Sequence, residues 1–243
     1  MPDDSNLALY ASLEEAVHCA SADVLKAAAA DPSLNEDLAL ALLKRSELPP
    51  EVLEQISKNA AVIKGRKAKL ALVGHPRTPR HVSLALLRQL FTFDLMKVAL
   101  TPAIPGDIKA AAEEALIKRL ESLSPGEKMS LARRASGRVV GALLLDPEIR
   151  VIHAALDNPR LTEALVIKAL MRTGSSAALV RAVCEHAKWS VRGEIRVALL
   201  QNEKTPPRFA EEFAKALPVA LLTTILQSSR LPEAVKSRLL KQD

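Results

Sequence analysis

After Thr162 the chain places apolar residues at Leu165, Ala169 and Leu170, and after Thr78 it does so at Leu84, Leu87 and Leu90. Recurrence every three to four residues marks a helix with one buried face. No stretch alternates apolar and polar residues with the period of two expected of a strand. The chain is therefore predicted to be all-α, with about fifteen or sixteen short helices joined by tight corners.

Those corners resemble one another. "AADPSLNEDLALALL", "LVGHPRTPRHVSLALL" and "LDNPRLTEALVIKAL" align on Pro32, Pro76 and Pro159, and Glu203 takes that slot in "LQNEKTPPRFAEEF". Each reads as a helix ending in small apolar residues, then a turn whose Asn or Gly suits the left-handed conformation that ends helices. An N-cap follows: Thr78 before Pro79, Thr205 before Pro206, and Thr162 in the third copy. The corners lie 44, 83 and 44 residues apart, and 83 is close to two units, so a degenerate copy is expected between them. The region 118–150 is that copy. Ser124-Pro125 caps a helix to about Ala135, and Gly137 and Gly141, four apart on one helix, permit a tight crossing. A period of about 40–47 residues belongs to stacked helical pairs.

Composition sharpens this picture. Hydrophobic residues make up 49% of the 243 positions but aromatics only 2%, so the core must come from close packing of Leu and Ala. No run approaches the roughly 20 apolar residues that span a bilayer. The opening "MPDDSNLALY" lacks the basic and apolar regions of a secretory leader. Cys19 and Cys184 lie far apart and suggest no disulfide framework. The expectation is a cytoplasmic protein with no membrane contact.

The net charge of +6 hides an asymmetry. Residues 1–63 hold 4 Lys/Arg against 11 Asp/Glu, whereas residues 64–243 hold 30 against 17. The stretch 64–88 has seven basic residues and no acid. Residues 1–63 are therefore read as an acidic N-terminal capping repeat, and 64–243 as a basic repeat body. Lys64, Arg66, Lys67, Lys69, Arg77 and Arg80 form a candidate anion, nucleic-acid or partner surface. Arg77, Arg160 and Lys204 share a register, so stacking would align them as a ladder for phosphates. The alternative is that these long side chains simply solvate exposed corners. Trp189, with Lys188, Arg192 and Arg196 around it, is either an interface anchor or a core residue between two repeats.

Other chemistry is sparse. Cys184 and His186 are two apart, which on a helix puts them on different faces, and no zinc-type spacing occurs. His153, on an apolar helix, is expected to be a buried or half-buried structural histidine. Paired glutamates at 14–15, 113–114 and 211–212 diverge by about 100° and make no acid/base dyad. No phosphate-binding glycine loop, nucleophile elbow or dinucleotide fingerprint appears. No catalytic residue, metal or cofactor is expected.

At "HAKWSVRGEIRVALLQNEKTP" the chain resembles the HEAT-repeat consensus, with Val191-Arg192 and Ala198 in its characteristic slots. Together with "LDNPRLTEALV" it is similar to bacterial HEAT-like proteins of the DUF2336 type. The resemblance implies a single right-handed α-solenoid domain of about five HEAT-like helical-pair repeats, and it implies no reaction. It leads to a non-enzymatic macromolecule-binding scaffold whose partner is another protein. The alternative is duplex backbone binding through the basic corners. A more distant one is the HEAT-like alkylpurine DNA glycosylases, which use two Trp and an Asp in a groove; this chain has only Trp189, with Glu194 the close acid.

Overall fold

The computed structural model describes residues 12–241. The acidic opening of the expected N-terminal cap, residues 1–11, lies outside the described residues. Among these residues the chain forms eighteen α-helices and no strand. It is all-α, and the helices fall into two compact units that meet at Arg119/Leu120. The first unit contains α1 (Leu13–His18), α2 (Ala22–Ala30), α3 (Glu36–Leu43), α4 (Pro50–Lys58), α5 (Ala60–Ile63), α6 (Arg66–Gly74), α7 (Arg80–Leu87), α8 (Thr92–Leu100) and α9 (Gly106–Arg119). After a 3-10 turn at Leu120–Ser122, the second contains α10 (Pro125–Arg134), α11 (Gly137–Leu143), α12 (Ile149–Leu156), α13 (Glu163–Met171), α14 (Ala177–Glu185), α15 (Gly193–Leu200), α16 (Pro207–Lys215), α17 (Val219–Gln227) and α18 (Glu233–Leu239).

Each unit has two layers, and helices pack on the next but one in the chain. In the first, α1, α3, α6 and α8 make one layer, while α2 packs on α4 and α7 on α9 in the other. In the second, α11, α13, α15 and α17 make one layer, while α10, α12 and α14 pack in order and α16 packs on α18. The apolar face of each helix is buried between the layers. Val151, Ile152, Ala155 and Leu156 of α12 and Leu179, Val180 and Val183 of α14 are all essentially inaccessible. Each fully buried Leu or Ile contributes roughly 1.5–3 kcal/mol.

The two units repeat one another at a constant offset of 127 residues (159 minus 32, 205 minus 78). At that offset α4 falls on α14 and α8 on α17, residue for residue. Pro32, Leu34, Glu36, Leu38, Leu43, Thr78 and Pro79 meet the identical residues Pro159, Leu161, Glu163, Leu165, Leu170, Thr205 and Pro206. Burial follows as well, with Leu25, Leu53, Val62, Leu72 and Leu86 matched by Ile152, Val180, Trp189, Leu199 and Phe213. This duplication accounts for the corner spacing. Pro159 is the equivalent of Pro32, and Glu203 of Pro76. The 83-residue gap is what remains of the 127-residue offset after the 44-residue step.

The corners work differently from the sequence-based expectation. Gly174, with φ of 85°, is the one described residue with positive φ, so the Asn corners are not left-handed caps. They are side-chain hubs instead. Asn158 is 1% exposed. Its Nδ2 donates to the Ala132 carbonyl at 2.7 Å, and its Oδ1 accepts the Arg160 backbone N–H at 2.7 Å. Asn59, His75 and Asn202 do the same at other corners. Each accepts the backbone N–H two residues on and donates to a carbonyl about thirty residues back. Nor are Thr78 and Thr205 N-caps. Their hydroxyls donate at 2.6 Å to the carbonyls of Leu72 and Leu199, closing the preceding helix, while Pro79 and Pro206 occupy the N-cap positions. Thr162 is an N-cap but makes no side-chain capping bond. In the 118–150 region the capped helix and the tight crossing are as the sequence predicts. Ser124 and Glu127 form a reciprocal capping box at the start of α10, and a Cβ on Gly141 would lie 3.3 Å from Leu165 of α13.

Because Asn158 satisfies the buried Ala132 carbonyl of α10 and the Arg160 amide of its own corner, Asn158→Ala removes the partner of both. The expected loss is about 1–3 kcal/mol in urea unfolding. Pro159→Ala, at the exposed neighbouring position, should change stability by less than about 0.5 kcal/mol.

Candidate interaction surface

The basic candidates are largely engaged inside the fold. Arg77 donates from Nη1 to the Glu47 carbonyl at 2.6 Å, Arg160 from Nη1 to the Arg134 carbonyl at 3.3 Å, and Lys204 from Nζ to the Ser175 carbonyl at 2.6 Å. Each closes a helix end or turn about thirty residues earlier in the chain. Arg77 and Lys204 occupy equivalent corners of the two units, leading from the first layer to the second. Arg160 occupies the opposite kind of corner, equivalent to Ser33, so the three do not form one row of equivalent corners. Arg80 binds Asp107 and holds that carboxyl below its usual range through the shared hydrogen bond. Arg192 binds Glu163 at 2.7 Å. Among the described residues, Lys64, Lys67 and Lys69 carry no ion pair; the first two are exposed and Lys69 is half-buried.

Arg66 grips a buried acid. Its Nε and Nη2 donate to the two carboxylate oxygens of Asp94 at 2.6 and 3.0 Å, and Asp94 is 1% exposed. The same guanidinium lies 5.1 Å from the ring centroid of Phe91, which is 63% exposed. The second unit has Gly193 and Leu221 at the equivalent positions. Losing both partners together avoids leaving a buried charge alone.

A related substitution occurs at the start of α6. The Glu36 carboxylate accepts the backbone N–H groups of Lys67 and Ala68 at 2.9 and 3.1 Å, so this helix N-terminus is already capped by an internal anion. Gly65 makes this possible, since a Cβ there would collide with the Glu36 carboxylate. The equivalent of Gly65 is Arg192, and the equivalent of Glu36 is Glu163. In the second unit the guanidinium replaces the helix amides as the carboxylate's partner.

Trp189 is core. It is 1% exposed, its Nε1–H donates to the Leu156 carbonyl at 2.9 Å, and its equivalent is the buried Val62. Lys188 covers the ring at 4.2 Å. Cys184 is buried, and desolvation pushes its thiol up to about 12. His186 faces away from it, accepting the Lys188 N–H on Nδ1 and meeting Asp157 Oδ1 at 3.1 Å from Nε2. His153 corrects the expectation of burial: it is exposed on α12, because it falls on the arc of that helix opposite the core. Among the described residues no three His, Cys, Asp or Glu side chains gather into a metal-binding group, and no helix is long and apolar enough to cross a membrane.

The feature not anticipated from the sequence lies on the second layer. In the second unit, α12 and α14 run side by side and leave a groove of about 370 Å³ between them. Ile149 and His153 of α12 form one wall, Ala178 and Ala182 the floor, and Ala177, Arg181 and Glu185 the rim on α14. In the first unit a groove of about 280 Å³ lies on the same layer, where α4 meets α7. Glu54, Lys58 and His81 line it, and the Lys58 hydrogen bond holds Glu54 below its usual range. The shared rim positions carry opposite charges, Glu54 and Lys58 in one unit and Arg181 and Glu185 in the other. Of the residues lining the α12/α14 groove the sequence singled out only His153, and as a structural histidine. A groove depends on the spacing of two helices distant in sequence.

Gly65→Ala should expel the Glu36 carboxylate from the start of α6, at a cost of about 1 kcal/mol, typical of a lost cap. In Gly65→Ala/Glu36→Ala the two losses should be non-additive by most of that amount, measured as a double-mutant cycle in urea.

Comparison with known proteins finds no match to a family model, to a curated protein or to a solved structure.

Proposed function

We propose that this chain is a non-enzymatic scaffold: a right-handed α-solenoid of about five HEAT-like helical pairs, acting in the cytoplasm and binding another protein through its second helix layer. The observation that supports this reading best is the groove between α12 and α14. It joins apolar floor and wall to charged rim on neighbouring helices, the composition of a peptide-recognition groove. At the corners of this unit, polar side chains are engaged in holding helix ends together. They satisfy backbone carbonyls, as Asn158, Arg160, Lys204 and Ser229 do.

A photo-reactive amino acid at position 178 or 181 should form a defined adduct with a partner protein in cells, whereas one at position 77, on a corner, should not. Adducts from position 77 alone would overturn this assignment of the binding face.

A second reading, contact with a polyanion, is favoured by Lys64, Lys67 and Lys69, which carry no ion pair among the described residues. It predicts duplex DNA binding that weakens with salt, by about 0.9 log units per tenfold salt for each phosphate contacted. Lys64→Glu/Lys67→Glu should abolish it without loss of thermal stability. Binding that ignores salt, or that survives the double reversal, would end this reading.

A further inference from the structure

We infer that the α12/α14 groove receives an acidic amphipathic peptide segment, with an aliphatic side chain on the Ile149–Ala178–Ala182 surface and a carboxylate at Arg181 and His153. This deepens the scaffold reading and rests on it.

The duplication supplies the first argument. The backbone of α12 and α14 is repeated in α2 and α4, where the equivalents of Ile149, His153, Ala178 and Ala182 are Ala22, Lys26, Glu51 and Gln55. The same helix pair therefore accommodates long polar side chains where the second unit has alanines. Folding does not require an alanine floor, nor an isoleucine left 40% exposed on the wall. Two small residues open the space, and one aliphatic residue makes it attractive to an apolar group.

The charge around the groove supplies the second. Glu185 is already held by Arg208 at 3.0 Å, and Asp157 by His186 at 3.1 Å. Arg150 and Arg181 are exposed and carry no ion pair among the described residues, and His153 stands one turn beyond Ile149. Glu148, two residues before Arg150, carries no ion pair among the described residues. Of the two charged residues on the rim, Glu185 is paired and Arg181, among the described residues, is not, so a partner carboxylate placed at Arg181 gains attraction where a lysine is repelled. The wall and rim residues recur every four positions, at 149 and 153 and at 177, 181 and 185, a length of about 12 Å along α14. That suits about two turns of a partner helix, or a short extended segment.

The test uses the full chain and two fluorescein-labelled amphipathic peptides of about fifteen residues. Both have leucines at helical i, i+4 and i+7 spacing; the remaining positions of one are mostly Glu and of the other mostly Lys. Fluorescence anisotropy should show saturable binding of the Glu peptide and at least about tenfold weaker binding of the Lys peptide, one decade being about 1.4 kcal/mol. Ala178→Glu/Ala182→Gln installs the residues of the first unit, which that helix pair tolerates. It should lose at least about tenfold in affinity for the Glu peptide, a further decade, with an unchanged melting temperature. Arg181→Glu should invert the preference between peptides. No saturable binding of the Glu peptide, equal binding of both, or binding indifferent to Ala178→Glu/Ala182→Gln would overturn the inference. If a partner is still captured by a cross-linker at position 178, the scaffold reading stands and only the acidic segment falls.

Discussion

Short helices impose one demand on everything else in this molecule. A helix of eight or nine residues has more unpaired terminal N–H and C=O groups than internal bonds. Most helices here have that length. Several of their ends are buried against neighbouring helices, where water cannot satisfy them. The fold answers with side chains that reach from one corner to a carbonyl about thirty residues earlier: Asn59, His75, Asn158, Asn202 and Ser229 from buried positions, and Arg77, Arg160 and Lys204 from more open ones. Each such bond ties a helix end to its neighbour, so backbone satisfaction and packing of successive helices are the same interaction.

The duplicated halves show which parts of this solution are general. Both units keep the buried apolar positions, the Thr-to-carbonyl closures at Thr78 and Thr205, and a polar hub at His75 and Asn202. They diverge where alternatives of similar energy exist. A carboxylate can cap a helix directly, as Glu36 does through the space left by Gly65, or bind a guanidinium, as Glu163 does with Arg192. A desolvated pair such as Arg66–Asp94 can be dropped whole. The surface diverges furthest, and there the α12/α14 groove opens because Ala178 and Ala182 stand where the other unit has Glu51 and Gln55. Divergence that leaves the backbone unchanged but alters shape and charge on one face is what selective binding requires of a repeated scaffold.

This changes the meaning of the basic residues. A high count of Arg and Lys suggests attraction to an anion, yet many of these cations hold carbonyls or carboxylates of the chain itself. Among the described residues, Lys64, Lys67 and Lys69 on the first unit and Arg150 and Arg181 on the second are among the cations that carry no ion pair.

Periodicity alone determined that the chain is helical, because the 3.6-residue repeat is local. It also exposed the recurrent corners. It misjudged how they work: Asn158 looked like a left-handed turn residue because its real partner, Ala132, is set by the way helices stack, and Thr205 looked like the N-cap of the next helix although its hydroxyl closes the preceding one at Leu199. Likewise His153 on its outward arc, the duplication hidden behind drifted surface residues, and the groove between α12 and α14 emerged only in three dimensions. A side chain's type is written in the sequence, but its partner is set by which distant backbone group arrives beside it.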